Sequence, residues 1–317
     1  MNKLDNSTFL VTGGAGFIGS NIVKHLLKKG AKKVRVLDNL STGKLNNLKT
    51  HPNLEIIIGD IRDLETCFKC LEGIDYVSHQ AALGSVPRSI ENPTLTNDVN
   101  VGGFVNLFFA STQIKSVKRI VYAASSSTYG DNTDLPKQEE NIGKAKSPYA
   151  VSKLVNELYA ENFAKVYGLS SIGLRYFNVF GPGQDANNPY AAVIPLYFKA
   201  IINNQPPVIN GDPEISRDFT FIDNVVHANI LALLSEKIIH HDVFNVACGE
   251  QITLGRLVKS INTLEKKNIK PIIGDYRTGD VMHSLASIEK IQQVLGYKPL
   301  VYFEEGLRKS SSFYNEL

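Results

Sequence analysis

Nowhere in these 317 residues do apolar side chains run for the about 20 positions that a membrane-spanning helix needs. The opening stretch Met1-Asn2-Lys3-Leu4-Asp5-Asn6 lacks the apolar core of a secretory leader and runs straight into a strand, so a cytoplasmic location is expected. No block of like charge exists. The 34 basic and 31 acidic residues leave a net charge of +3, which gives no reason to expect a nucleic-acid or membrane partner. Cysteine is scarce: Cys67-Phe68-Lys69-Cys70 spells C-x-x-C, but zinc wants four ligands and only Cys248 remains. On a helix the pair shares one face, so a buried, reduced pair is expected. The seven histidines show no metal spacing, His240-His241 is expected in a solvated loop, and no metal is expected. There is no Pro/Gly/Ser linker and no internal repeat. With 43% hydrophobic and 21% charged residues, the chain has the balance of a soluble globular protein of one large or two moderate domains.

What is present begins with a strand at 8–11 that enters Thr12-Gly13-Gly14-Ala15-Gly16-Phe17-Ile18-Gly19. Apolar residues then recur at Ile22, Val23, Leu26 and Leu27, a helical period closed by Gly30. Strand, glycine turn and helix N-terminus together make an anion site, since backbone N–H groups and the helix dipole point at a phosphate. By itself the match is weak, and the spacing is G-x-x-G-x-x-G. The next strand, 34–37, ends at Asp38, 19 residues after Gly19, where a carboxylate accepts hydrogen bonds from an adenosine ribose and repels a 2′-phosphate. NAD is therefore expected rather than NADP. A third strand at 54–58 leads to Asp60, which either reads the adenine or caps a turn. A fourth at 74–79 leads to Gln80-Ala81-Ala82, small enough for backbone to approach a nicotinamide. Strands alternating with helices indicate a doubly wound parallel sheet.

A long helix is expected from Pro93 to about residue 115, with Asn100 at a position where asparagine is costly. The fifth strand, 119–124, ends in Ser125-Ser126-Ser127-Thr128-Tyr129-Gly130. Ligands sit beyond the carboxyl ends of such strands, so the serine run is either a plain loop or a substrate contact. Ser147-Pro148 opens a helix carrying Tyr149 and Lys153. Four residues apart, they share a face. A tyrosine titrates near about 10, and an ammonium one turn away favours the phenolate. The alternative is a core tyrosine beside a solvent lysine.

With glycine turn, Asp38, serine run and Tyr149/Lys153 in this order, the chain resembles the extended short-chain dehydrogenase/reductases over nearly its whole length. It is most similar to the nucleotide-sugar 4-epimerases, particularly the bacterial UDP-N-acetylglucosamine 4-epimerases. The segments that carry the likeness are 12–20, Asp38-Asn39-Leu40-Ser41-Thr42-Gly43, 81–89, 123–130, 147–153 and Arg175-Tyr176-Phe177-Asn178-Val179-Phe180-Gly181. The resemblance implies Tyr149 as base, Lys153 as its partner and a nicotinamide-ribose ligand, and Ser125 as proton relay. It implies an NAD site made of Gly13, Gly16, Phe17, Ile18, Gly19, Asp38, Asn39, Ser41, Thr42, Gly43, Asp60, Ile61, Gln80, Ala81, Ala82, Asn100 and Tyr176. It implies a UDP-sugar site made of Ser85, Arg88, Ser125, Ser126, Ser127, Asn178, Gln184, Ala192, Val193, Val208, Ile209, Asn210, Arg217, Arg277, Asp280 and Ser284. Two arginines suit a diphosphate through forked hydrogen bonds. Without the family, a surface ion pair is the preferred reading of each.

Ser284 falls where strict UDP-galactose epimerases carry a bulky tyrosine, and a small residue there leaves space for an N-acetyl group. The resemblance implies reversible oxidation at C4 of a UDP-N-acetylhexosamine through a 4-keto sugar. A 4,6-dehydratase would want a carboxylate pair after the catalytic hydroxyl, where this chain has Ser126 and Ser127. A non-catalytic NAD-binding protein would be expected to lose Tyr149 and Lys153. UDP-N-acetylglucosaminuronic acid stays open as substrate, with Arg88 the candidate for its carboxylate. The expected layout is a Rossmann domain over 1–176 to which 214–236 returns, a smaller α/β substrate unit of 177–213 and 237–317, a fraying tail at 310–312, and a homodimer through the helices after Pro93 and Tyr149.

Overall fold

The computed structural model describes residues 4–186, 191–238, 240–276 and 281–316. Seven strands make one sheet: β1 (Thr8–Thr12), β2 (Lys33–Asp38), β3 (Leu54–Ile58), β4 (Tyr76–His79), β5 (Arg119–Ser125), β6 (Ser171–Tyr176) and β7 (His241–Val246). Their order is β7-β6-β5-β4-β1-β2-β3, every pairing parallel. This is the doubly wound sheet expected. Its two halves diverge from β1 and β4, and the crevice beyond the carboxyl ends of those strands is where such folds hold ligands. β4 and β6 are buried along their whole length, because helices cover both faces. Helices Phe17–Lys28 and Ile222–Leu234 pack on one face against Phe9 and Val11. Helices Leu64–Leu71, Gly103–Gln113 and Pro148–Tyr167 pack on the other against Leu10.

Several expectations change. Residues 241–246 were expected in the substrate unit, but β7 pairs with β6 and extends the central sheet, burying Phe244 and Val246. His241 is therefore not in a solvated loop. Its Nδ1 lies 2.9 Å from Ser171 Oγ, its ring stacks on Tyr122, and burial lowers its pKa to about 4. The long helix after Pro93 is interrupted: Pro93–Asn97 passes through a π-helical turn, Asp98–Gly102, before Gly103–Gln113. The serines at 310–312 do not fray. They lie in helix Phe303–Asn315, where Ser310 is fully buried and donates to the Gly306 carbonyl at 2.8 Å. Cys67 and Cys70 are buried free thiols on Leu64–Leu71, which burial pushes up to about 12 and about 11.

Smaller pairings build the second layer: Val208–Asn210 with Ile272–Gly274, Ser216–Arg217 with Ile252–Thr253, and Val179–Phe180 with Thr220–Phe221. A buried fork ties helix Pro148–Tyr167 to the central sheet. Arg175, on β6, donates from Nε and Nη2 to both Glu157 oxygens at 2.9 and 2.8 Å, and from Nη1 to the Glu139 carbonyl at 2.8 Å. The two side chains are 4% and 8% exposed, so each would be stranded in a dry interior without the other. Arg175→Met and Glu157→Met should each lower stability to urea unfolding by about 3–5 kcal/mol, while the double variant loses clearly less than their sum. Additive losses would mean that the pair is not the anchor.

Candidate active site

The glycine turn is packed backbone to backbone. Gly13 has φ +66°, and a Cβ there would lie 2.7 Å from the Ala81 nitrogen; one on Gly19 would lie 2.2 Å from the Gly13 oxygen. Helix Phe17–Lys28 begins at Gly16 with no side-chain cap, so its first N–H groups are left for an anion. The Asp38 carboxylate is buried and accepts from Ala15 N at 2.9 Å and Leu40 N at 2.8 Å. Each oxygen keeps a lone pair for a ribose hydroxyl. Asp60 caps its turn: it accepts from Arg62 N at 2.9 Å and from the Arg62 guanidinium, which holds its pKa down to about 2, and it also accepts from Asn39 Nδ2 at 2.8 Å.

Around these residues lies a cavity of about 430 Å³. Gly13, Gly16, Phe17, Ile18, Gly19, Asp38, Asn39, Ser41, Thr42, Asp60, Ile61, Gln80, Ala81, Ala82, Ser125, Tyr149, Lys153, Tyr176 and Asn178 all line it. An uncapped helix start, a ribose-ready carboxylate and small residues at 81 and 82 fit a dinucleotide. Gly43 stands behind: a Cβ on it would press on Ala15 and Asp38. Asn100 also lies outside the lining. From the π-turn its Oδ1 accepts from Leu83 N at 2.7 Å, and its Nδ2 donates to Leu83 O and Ser152 Oγ, both at 3.1 Å. It latches the loop after β4 to the Tyr149 helix, which accounts for asparagine inside a helix.

Ser147 caps that helix by accepting from Ala150 N at 3.1 Å, Pro148 occupies its first turn, and Gly168 closes it at φ +69°. Tyr149, Lys153 and Glu157 follow at four-residue steps. Lys153 Nζ donates to the Ala123 carbonyl at 2.8 Å and sits 5.9 Å from the centre of the Tyr149 ring. Burial lowers its pKa to about 8, opposed by Glu157. The Tyr149 hydroxyl is pushed up by burial, against a hydrogen bond with Ser125. The sequence predicted a phenol held down by Lys153. Here desolvation wins, because the ammonium is bonded to backbone rather than to the phenol. Ser125 accepts from Ser127 Oγ at 2.9 Å and Ser127 N at 3.2 Å.

A second cavity, about 180 Å³, adjoins the first through Ser125 and Asn178, which line both. Ser126, Ser127, Arg217 and Ser284 line it, with Val86, Tyr129 and Phe177 from the segments that carry the family likeness and with Lys137, Lys146 and Val281, which the sequence did not point to. Of these last three only Lys146 carried a signal, standing next to the helix-capping Ser147. Asn178, at φ +35°, donates to the Asp218 carbonyl at 3.0 Å and Ser284 Oγ at 3.3 Å. The fully buried Asp218 carboxylate gathers the N–H groups of Cys248, Gly249 and Ala286 at 3.1, 3.1 and 3.2 Å. Burial pushes it up to about 7 against those donors.

Ser85, Arg88, Gln184, Ala192, Val193, Val208, Ile209 and Asn210 line neither cavity. Ser85, at φ +97°, caps the short helix Val86–Glu91 by accepting from Arg88 N at 3.3 Å. Gln184 donates to the Val179 carbonyl at 3.1 Å, Ala192 caps helix Val193–Ile202, and Ile209 is spent on the core. Arg277 and Asp280 lie outside the described residues.

Asp38→Ala should weaken NAD binding relative to NADP by about tenfold or more, the worth of a hydrogen bond to a charged group. Titration of both nucleotides measures it, and an unchanged ratio would remove Asp38 from the ribose.

Comparison with known proteins agrees with this geometry. Residues 9–247 match the model of the NAD dependent epimerase/dehydratase family. A UDP-glucuronate 4-epimerase of Thermodesulfobacterium geofontis is 32% identical, over 97% of this chain and 96% of its own. The solved UDP-N-acetylglucosamine 4-epimerase of Methanobrevibacter ruminantium, in complex with UDP-N-acetylmuramic acid, superposes with a TM-score of 0.93 at 42% identity, covering 98% and 99% of the two chains. The Thermus thermophilus UDP-glucose 4-epimerase complex with NAD does so with a TM-score of 0.87 at 34% identity, covering 97% and 99%. A doubly wound sheet, an uncapped glycine turn and a Tyr149/Lys153/Ser125 centre, matched over almost the whole chain, place it in the NAD dependent epimerase/dehydratase family.

Proposed function

We propose that this chain is a UDP-sugar 4-epimerase whose substrates are UDP-N-acetylhexosamines, interconverted at C4. The observation that carries the choice of sugar is Ser284. It is 8% exposed, bonded to Asn178, and lines the smaller cavity beside Ser125. A serine there leaves room where a tyrosine would fill it. The 42% identity to a UDP-N-acetylglucosamine 4-epimerase supports the same reading.

Tyr149 takes the proton of the sugar 4-hydroxyl, directly or through Ser125, and gives it back after the sugar has turned. Lys153, one helical turn away, is the group that would offset negative charge growing on the phenol during that transfer. NAD, held by the glycine turn and Asp38, would supply the redox chemistry, a reversible oxidation at C4 of the sugar. Arg217 holds the diphosphate while the sugar reorients. The serines after Ser125 provide hydroxyls where a 4,6-dehydratase needs acid and base. The protein is further proposed to work as a cytoplasmic homodimer. No helix among the described residues is long and apolar enough to cross a membrane, and helix Pro148–Tyr167 exposes Val151, Leu158, Tyr159 and Val166 to a second copy.

Tyr149→Phe should cut turnover by about 10²–10⁴-fold, the usual worth of a positioned acid–base group, while the protein still carries NAD. Near-normal rates would remove Tyr149 as the base. Ser284→Tyr should reduce kcat/KM for UDP-N-acetylglucosamine far more than for UDP-glucose, read by NMR of the products. An equal loss on both would refute the steric reading.

A further inference from the structure

Two segments from distant parts of the chain flank the dinucleotide cavity. The turn after β2 supplies Asp38, Asn39, Ser41 and Thr42 to its lining, and the chain leaving β6 supplies Asn178 and Val179. Both continue to the N-terminus of helix Phe17–Lys28, where the pyrophosphate of a dinucleotide belongs. The first segment reaches it at Lys44, whose N–H donates to the Ala15 carbonyl at 3.0 Å. The second reaches it at Gly183, where a Cβ would lie 3.8 Å from Cδ2 of Phe17, itself part of the lining. There the two segments meet: Lys44 Nζ donates to Asp185 Oδ2 at 2.6 Å, across 141 positions of sequence. Each segment takes its shape from its own hydrogen bonds. Leu40 N donates to Asp38 at 2.8 Å and Ser41 N to Asn39 Oδ1 at 3.0 Å, while Gln184 donates to the carbonyls of Gly181 and Val179 at 3.3 and 3.1 Å. The ion pair therefore joins two preformed segments and shapes neither. Its side chains are 64% and 36% exposed, and a pair so solvated adds little to folding stability.

We propose that Lys44 and Asp185 are positioning residues for the cofactor: their ion pair clasps the segments on either side of the glycine turn and slows the escape of NAD. The inference rests on NAD as the cofactor and holds whichever sugar is turned over. Neither residue lines the cavity, so the clasp acts on the parting of its two flanks and not through contact with the dinucleotide. Its charges face solvent, so salt weakens it, whereas the buried bonds of Asp38 to Ala15 N and Leu40 N are screened much less.

The test loads isotope-labelled NAD into wild type, Lys44→Met, Asp185→Asn and the double variant, and chases it with excess unlabelled NAD at low salt and at about 1 M salt. At low salt each single variant should release the label about two- to fivefold faster than wild type, the range that an exposed ion pair spans, and the double variant no faster than either. High salt should narrow the difference between wild type and the variants. Unchanged release in the single variants overturns the proposal. So does a double variant whose acceleration is the product of the two single ones, because the side chains would then act separately. A difference that salt leaves untouched also overturns it, since packing and not charge would be its source.

Discussion

The buried guanidinium of Arg175 fixes the parts of this molecule that do chemistry. It lies at the carboxyl end of β6, forks onto Glu157, reaches the Glu139 carbonyl, and stands 4.9 Å from the centre of the Tyr129 ring. Glu157 is one helical turn beyond Lys153, which is one turn beyond Tyr149, so the fork sets the rotation and height of the catalytic helix against the sheet. Tyr129 closes the 3₁₀ turn that Ser125 caps. Ser125, Tyr149 and Lys153 are therefore referenced to one charge pair. In so dry a setting that pair persists because neither charge can be left alone.

From this anchor the two cavities inherit their relation. Ser125 and Asn178 stand in the walls of both, at the ends of neighbouring strands β5 and β6. The dinucleotide cleft and the cavity proposed for the sugar thus meet at two side chains. The second wall is held by Asp218, whose carboxylate collects backbone amides from residues 248–249 and 286 while its own amide donates to Ser284 at 3.3 Å. Ser284 lines the smaller cavity and not the dinucleotide cleft, so on the proposed function side-chain choice at 284 would tune the sugar site alone.

What the sequence determined by itself is what local pattern encodes. Strand periods, the glycine turn, the acid after β2 and the four-residue spacing of Tyr149 and Lys153 are properties of short segments, and the strands were legible to within a residue or two at most ends. The motif order gave the family for the same reason: each motif is a local backbone solution to holding a dinucleotide. Tertiary structure alone decided the rest. β7 pairs with a strand about 70 residues earlier, a choice made by burial of Phe244 and Val246 rather than by any local signal. Asparagine is costly in a helix, and at Asn100 the cost is met by a loop 17 residues away, which no local pattern announces. Tyr149 was expected to be acidified by its lysine, but desolvation and the Ala123 carbonyl, neither visible in the spacing, set its state. Lys137 carries no motif at all. Only the fold buries it, with its ammonium donating to the carbonyl and Oδ1 of Asn132.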